Sequence, residues 1–119
     1  MDLQLGKPVA IEGLGLKLLS AAELQIEGSL NTETAQSQIA DHLSRIHEYV
    51  LTEKLTSFTV DLRKLTFVNS SAIRLFVDWI ARASGSNYKL VFRTDRSITW
   101  HRLSFSVLKS LAPNSVEIL

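Results

Sequence analysis

Two runs of alternating apolar and polar residues open the regular part of the chain. They cover residues 14–19 and 23–30. Alternation with a period of two is typical of strands that bury one face, so the two runs predict a β-hairpin. Residues 1–13 contain glycine and proline and show no such pattern. We interpret them as an N-terminal extension and residues 14–119 as a single domain.

Three later segments space their apolar residues as helices do. The first follows Asn31 and Thr32, which offer an N-cap, and the second follows the central strand. The third is predicted to be capped by Thr99 and to end at Pro113. Their apolar faces comprise Ala35, Ile39, Leu43, Ile46 and Val50; Ile73, Phe76, Val77 and Ile80; and Trp100, Leu103, Val107, Leu108 and Leu111.

Short apolar runs at residues 58–62, 88–92 and 115–119 predict three further strands. The resulting order is a hairpin, then helix, strand, helix, strand, helix and strand. Strands that alternate with helices indicate parallel crossovers, and the initial hairpin makes the predicted sheet mixed. The predicted fold class is therefore α/β.

Two hydroxyl residues, Ser70 and Ser71, stand where the central strand ends and the second helix begins. A side-chain oxygen at this position can accept from the free N–H groups of the first helical turn. Ser70 or Ser71 is therefore predicted to be the N-cap. Because the free N–H groups and the positive end of the helix dipole favour an anion, the same position suits a phosphate.

Composition and charge narrow the functional classes. A chain of 119 residues is long enough for one domain with a core. Its formal net charge of +1 lacks the basic excess that is typical of nucleic-acid binding. The absence of cysteine excludes disulfides and thiolate metal sites. Since neither a signal-peptide pattern nor a membrane-spanning run is present, we expect a cytoplasmic protein, with attachment through a membrane-bound partner left open.

Residues 60–73 read Val-Asp-Leu-Arg-Lys-Leu-Thr-Phe-Val-Asn-Ser-Ser-Ala-Ile and resemble the signature of STAS domains, the anti-sigma-factor-antagonist family. In that family an Asp-Leu strand end leads to Asp-Ser-Ser-Gly-Leu. Residues 28–35, Gly-Ser-Leu-Asn-Thr-Glu-Thr-Ala, resemble a second family pattern, Gly-x-Leu-Asn/Asp-x-x-Thr-Ala. The order of elements agrees too, so the resemblance covers nearly everything after about residue 14. The ending around Trp100 is similar to a cyanobacterial-type branch of STAS-like regulators.

The resemblance implies a bacterial partner-switching regulator that is not an enzyme and uses no cofactor. Its unmodified form would bind a histidine-kinase-like ATPase, a serine kinase that doubles as an anti-sigma factor, and a serine phosphatase would reverse the modification. Ser71 matches the serine that such a kinase phosphorylates. Ser70 is expected to be a buried or capping neighbour and is the fallback acceptor. The partner surface would comprise Asn31, Thr32, Asn69, Ser70, Ser71 and Leu75.

Asn69 and Ala72 depart from the family pattern, which has Asp and Gly at these positions. Asn69 brings no charge, so any role of a carboxylate in presenting the hydroxyl is lost. Alternatively, the loss of one negative neighbour makes the loop a better seat for a phosphate. Ala72 adds a methyl group where a partner would approach the backbone, although alanine favours a helix.

Simpler interpretations compete for several of these residues. From the residues alone, Ser71 is better explained as a helix cap, and only the resemblance favours modification. We expect Trp79 and Trp100 to be packed in the interior, and Leu75, one turn after Ser71, to belong to the interface.

Other chemistries find little support. The three histidines are interpreted as solvated helix positions, because no spacing among them makes a metal site. No nucleophile-elbow glycines surround Ser71, and the chain has no glycine-rich phosphate loop. Neither a hydrolase nor an ATP-binding kinase is therefore expected. The histidines are His42, His47 and His101.

Two rival functions stay open at this point. The chain could be a STAS subunit held permanently in a larger assembly, such as a transport complex, where Ser71 only caps a helix. It could also be a switch whose output is a cyclase or a phosphatase instead of a sigma factor.

Overall fold

The computed structural model describes residues 9–11, 14–95 and 97–118. Residues 9–11, which belong to the predicted N-terminal extension, form the first strand, while the rest of that extension lies outside the described residues. No helix in the described part of the chain combines the length and apolar character needed to cross a membrane. The elements in chain order are β1 (Val9–Ile11), β2 (Leu14–Ser20), β3 (Glu23–Leu30), α1 (Glu33–Thr52), β4 (Ser57–Val68), α2 (Ser70–Gly85), β5 (Lys89–Arg93), α3 (Thr99–Leu111) and β6 (Val116–Ile118).

The strands form one six-stranded sheet whose spatial order equals the chain order, β1-β2-β3-β4-β5-β6. The pairs β1/β2 and β2/β3 are antiparallel, and the three later pairs are parallel. This is the mixed α/β sheet that the sequence predicted, so the predicted fold class is confirmed. The strand predicted at residues 115–119 is shorter, because β6 pairs only from Val116 to Ile118 and Leu119 is not described.

The topology leaves the helices on one face of the sheet. Each of the three parallel connections steps to the next strand in the same direction, and right-handed crossovers then put α1, α2 and α3 on the same side. The core lies between these helices and the sheet. Its largest fully buried side chains are Phe58, Phe76, Phe92, Leu24, Ile26, Leu30, Ile39, Ile46, Leu62, Leu65 and Ile80.

The opposite face of the sheet is polar and held by ion pairs. The Arg63 guanidinium lies 2.8 Å from the Asp61 carboxylate, and Arg93 lies 3.2 Å from Glu23. Hydrogen bonds from Arg63 hold the pKa of Asp61 below its usual value, although its burial opposes that shift. Asp61 therefore stays ionised in spite of being buried, because its charge is paired.

Strand β4 is longer than the sequence pattern predicted, because it continues from residue 62 to Val68. Its pairing with β5 ends at Asp61 opposite Arg93, but its pairing with β3 continues to Leu30 opposite Val68. Because of this pairing, the ends of β3 and β4 lie side by side. The extension also contacts α3, because the indole N–H of the half-buried Trp100 donates to the Leu65 carbonyl at 3.1 Å.

A buried chain of hydrogen bonds links α1, α2 and the start of β5. The Trp79 Nε1–H donates to the Tyr88 hydroxyl at 2.9 Å, and that hydroxyl lies 2.8 Å from His47 Nδ1. The Tyr88 oxygen accepts from Trp79, and its hydroxyl and His47 Nδ1 share one further hydrogen bond, whose direction depends on the tautomer of His47. The prediction that Trp79 is packed is confirmed, but the solvated position predicted for His47 is wrong. We call Trp79, Tyr88 and His47 the buried triad.

The buried triad predicts acid sensitivity. Burial lowers the pKa of His47, the charge of Arg82 lowers it further, and Glu48 partly opposes both. The folded state therefore favours the neutral ring, so its contribution to stability is complete above the ordinary pKa of about 6.5 and is lost as the pH falls below that value. We expect the free energy of unfolding to decrease between pH 7 and pH 5, by at most about 1.4 kcal/mol per pH unit for this group.

Urea unfolding at a series of pH values tests this expectation. His47→Asn keeps an acceptor near the Tyr88 hydroxyl but cannot titrate, so its pH dependence should be shallower than that of the wild type. His42→Asn serves as a comparison, because burial and Arg45 lower the pKa of His42 as well, and it should remove a separate contribution to the pH dependence. An unchanged pH profile in His47→Asn would contradict the conclusion that the folded state holds His47 neutral.

The start of α3 differs from the prediction, and the end of α2 is marked by a left-handed residue. Thr99 is the first residue of α3 and not its cap, because the cap position is Ile98, which makes no side-chain capping bond. Before it, Asp95 accepts from the backbone N–H and the hydroxyl of Ser97, which forms a local turn ahead of the helix. Helix α2 ends at Gly85, and Asn87 takes the left-handed conformation with φ of 62°.

Candidate functional site

Two strand-to-helix junctions meet at one end of the sheet. Because β3 and β4 are parallel neighbours, their carboxyl ends lie at the same edge. The backbone N–H of Asn69 donates to the Leu30 carbonyl at 3.2 Å, which joins the two junctions directly. The structure thus brings together five of the six residues predicted for the partner surface, which we call the junction surface. They are Asn31, Thr32, Asn69, Ser70 and Ser71.

The N-cap of α2 is Asn69, so the prediction that Ser70 or Ser71 caps this helix is wrong. Asn69 has an extended backbone, and its Oδ1 accepts from the Ala72 N–H at 2.9 Å. Asparagine and serine are comparable as N-caps, so residue type alone did not decide between them. A further contact comes from α1, because Gln36 Nε2 also donates to Asn69 Oδ1, at 3.0 Å.

The cap at Asn69 leaves both serines in the first turn of α2 with exposed side chains. The prediction that Ser70 is a buried or capping neighbour is therefore wrong. Ser71 occupies the second helical position, where the free N–H groups and the helix dipole favour negative charge. No acidic residue lies in this first turn to oppose it.

The other half of the junction surface is the start of α1. Thr32 caps this helix, because its Oγ1 accepts from the Ala35 N–H at 3.0 Å, as the sequence indicated for this segment. Asn31 is exposed beside it, and Glu33 supplies an acid in the first turn. Both helix starts are therefore fixed by side-chain caps, which gives the junction surface a defined shape.

Leu75 lies one turn beyond Ser71 and is half-buried. It lines a shallow groove between α1 and α2 and is not part of the junction surface. One edge of that groove is closed where Arg82 donates to the Ser44 hydroxyl at 2.9 Å. The lining residues are Ala40, Leu43, Ser44, Leu75, Asp78, Trp79 and Arg82.

Sequence reasoning missed two residues near the site. Gln36 is not among the predicted site residues, although its Nε2 donates to the cap of α2. Phe67 has 48% of its surface exposed, close to Asn69, and pairs with Ser29 in the sheet. A sequence signal existed only for Gln36, since it follows the Thr32 cap by one turn and so lies on the same helix end. Nothing local distinguishes Phe67 from a buried strand residue.

The described residues contain no group of three or more His, Cys, Asp or Glu side chains arranged to hold a metal ion. The junction surface instead carries hydroxyl and amide groups, which can donate and accept hydrogen bonds. Its exposed hydroxyls are chemically suited to accept a phosphoryl group from an external donor.

One of three comparisons with known proteins finds a similar fold. Neither a family model nor a curated protein matches the sequence. Among solved structures, the unphosphorylated form of the anti-sigma factor antagonist SpoIIAA is similar to this chain, with a TM-score of 0.57 and 10% sequence identity. The similarity covers 89% of this chain and 86% of that one. The STAS-like fold predicted from residues 28–35 and 60–73 is therefore confirmed: the fold of this chain is like that of SpoIIAA.

Proposed function

We propose that this chain is a bacterial partner-switching regulator of the anti-sigma-factor-antagonist type and is not an enzyme. Unmodified, it binds a histidine-kinase-like ATPase in the cytoplasm, and that ATPase inactivates it by phosphorylating Ser71. A serine phosphatase restores the unmodified form. The observation that supports this most is the exposed Ser71 in the first turn of α2, within a STAS-like signature and a fold like that of SpoIIAA.

The first step requires an accessible hydroxyl, and Ser71 offers one. Its Oγ attacks the γ-phosphorus of ATP, its proton passes to a base of the kinase, and ADP leaves. Ala72 is buried directly after it, so its methyl group does not obstruct the approach of a kinase. Ser70 is also exposed and is the fallback acceptor.

The second step is the effect of the phosphate on recognition. The phosphate adds about 1.5 to 2 negative charges to the junction surface, beside a first turn of α2 that contains no acidic residue. Within the chain the helix start stabilises this charge. A partner that fits the unmodified junction surface, together with the half-buried Leu75, would have to desolvate that added charge. Phosphorylation therefore releases the partner.

Substitutions at Ser71 test this mechanism. Ser71→Asp is expected to weaken binding of the ATPase at least about tenfold, whereas Ser71→Ala should keep it within about threefold, because only the first adds charge. Isothermal titration calorimetry with the ATPase purified from the same host measures both. Ser84→Asp is the matched control, since Ser84 is exposed at the other end of α2. Equal affinity of Ser71→Asp and Ser71→Ala would contradict the mechanism.

The first measurement is phosphosite mapping by mass spectrometry on the protein purified from its own host, during growth and under stress. We expect phosphate on Ser71 in a proportion that varies with condition. A Ser71 that is unmodified under every condition would overturn the switch and favour a permanent binding subunit. In that case Ser71 would be only an exposed residue of the first turn.

A further inference from the structure

The amide group of Asn69 has a fixed orientation. Its Oδ1 accepts two hydrogen bonds, from the Ala72 backbone N–H at 2.9 Å and from Gln36 Nε2 at 3.0 Å. A backbone N–H can only donate, so the atom facing Ala72 must be the oxygen. Gln36 must then present its NH2 group to that oxygen. The two contacts together exclude the flipped amide for both side chains.

This orientation leaves Asn69 Nδ2 as the free end of the side chain. Within residues 9–11, 14–95 and 97–118, no acceptor is hydrogen-bonded to it, and Asn69 is half-buried at the junction surface. The STAS signature has an acid at this position, and a carboxylate would present a second, negatively charged acceptor there. This chain presents a neutral donor instead.

We propose that Asn69, oriented by Gln36, accommodates the phosphate on Ser71 by offering it the two N–H groups of Nδ2. This inference rests on the proposed phosphorylation of Ser71. Asn69 and Ser71 are the cap and the second residue of the same helix, so both side chains lie at its first turn. Asn69 and Gln36 are positioning residues, because they make the junction surface compatible with the negative charge of the phosphate and take no part in phosphoryl transfer.

The phosphate itself reports on its surroundings. Its second ionisation has a pKa near 6, and a nearby donor lowers that pKa while a nearby carboxylate raises it. Asn69→Asp changes little else, because aspartate caps helices as well as asparagine and can accept both hydrogen bonds through one oxygen. We therefore expect Asn69→Asp to raise the second pKa of phosphoserine 71 by about half a unit or more.

The experiment uses the full chain with phosphoserine incorporated at position 71 during translation, so no kinase has to be known. Titration followed by ³¹P NMR gives the second pKa, and a ¹⁵N–¹H spectrum follows the side-chain NH2 of Asn69. In the wild type that NH2 resonance should move with the phosphate titration. Gln36→Leu should reduce this movement, because the amide of Asn69 is then held by one contact only.

Asn87→Asp is the matched control, because it makes the same amide-to-acid change beyond the other end of α2. It should leave the pKa of phosphoserine 71 within about 0.2 units of the wild type, because the exposed charge is screened at that distance. The proposal would be overturned if the second pKa of phosphoserine 71 were equal in Asn69→Asp and Asn87→Asp. It would also be overturned if the Asn69 side-chain NH2 resonance did not shift during the phosphate titration. Either result is independent of phosphosite mapping in the host, so the proposed function and this inference can fail separately.

Discussion

Phe76→Ala is expected to lower the free energy of unfolding by about 3–5 kcal/mol, the usual cost of removing a fully buried phenylalanine. Phe76 has no exposed surface, and its ring packs edge-on against Phe92 at a centroid distance of 6.2 Å. It joins α2 to β5 in the middle of the core. Truncation removes this packing and leaves a cavity that rigid neighbours on both elements can fill only partly.

Urea unfolding followed by circular dichroism measures this effect, and the chain provides a matched control. Phe67→Ala makes the same chemical change at a side chain that is 48% exposed, so we expect it to cost less than about 1 kcal/mol. A loss below about 2 kcal/mol for Phe76→Ala, or similar losses for both variants, would contradict the packing of α2 on β5 described here.

Tyr88→Phe is expected to cost about 2–4 kcal/mol, although it removes a single oxygen atom. That oxygen accepts from Trp79 and is hydrogen-bonded to His47 Nδ1, so the substitution leaves two buried nitrogen atoms, Trp79 Nε1 and His47 Nδ1, unpaired at once. Each unpaired buried group costs about 1–3 kcal/mol. Burial also raises the pKa of Tyr88 to about 12, so the hydroxyl keeps its proton throughout the range in which unfolding is measured.

Tyr49→Phe is the control for this prediction. Its hydroxyl donates to the Ala21 carbonyl at 2.6 Å, but that hydrogen bond is exposed, so water can replace it and the loss should stay below about 1 kcal/mol. Both variants are measured at pH 7.5, where His47 is neutral in the wild type. If Tyr88→Phe proved no more destabilising than Tyr49→Phe, the buried triad would not contribute to stability as the distances indicate.

Much of the fold could be predicted because its signals are local. The hairpin and the three helices follow from apolar spacing within each segment, and the mixed sheet follows from their order. The end of β4 could not be predicted in this way. Arg63 and Lys64 interrupt the apolar run, and the strand continues past them only because β3 pairs with it as far as Val68. Pairing with a neighbouring strand thus overrides the local pattern.

The position of the candidate site could also be predicted from local signals, whereas its helix cap could not. The position was predictable because a strand, a pair of serines and an apolar helix pattern follow one another at residues 58–83. Its cap was not, since Asn69 and the serines rank alike as caps and Gln36 is 33 residues away in the chain. The burial of His47 likewise depends on Tyr88, 41 residues later. Contacts of this kind leave no mark in a single sequence.

The agreement between sheet order and chain order has a consequence for how the protein is made. Every strand after the first pairs with the strand synthesised immediately before it. A ribosome emits residues at about 5–20 per second, which is slow compared with the pairing of neighbouring segments. The sheet can therefore grow from one edge, strand by strand, as the chain emerges. At no stage does a strand have to be inserted between two others, so the nascent chain avoids the rearrangements that slow the folding of sheets with long-range order.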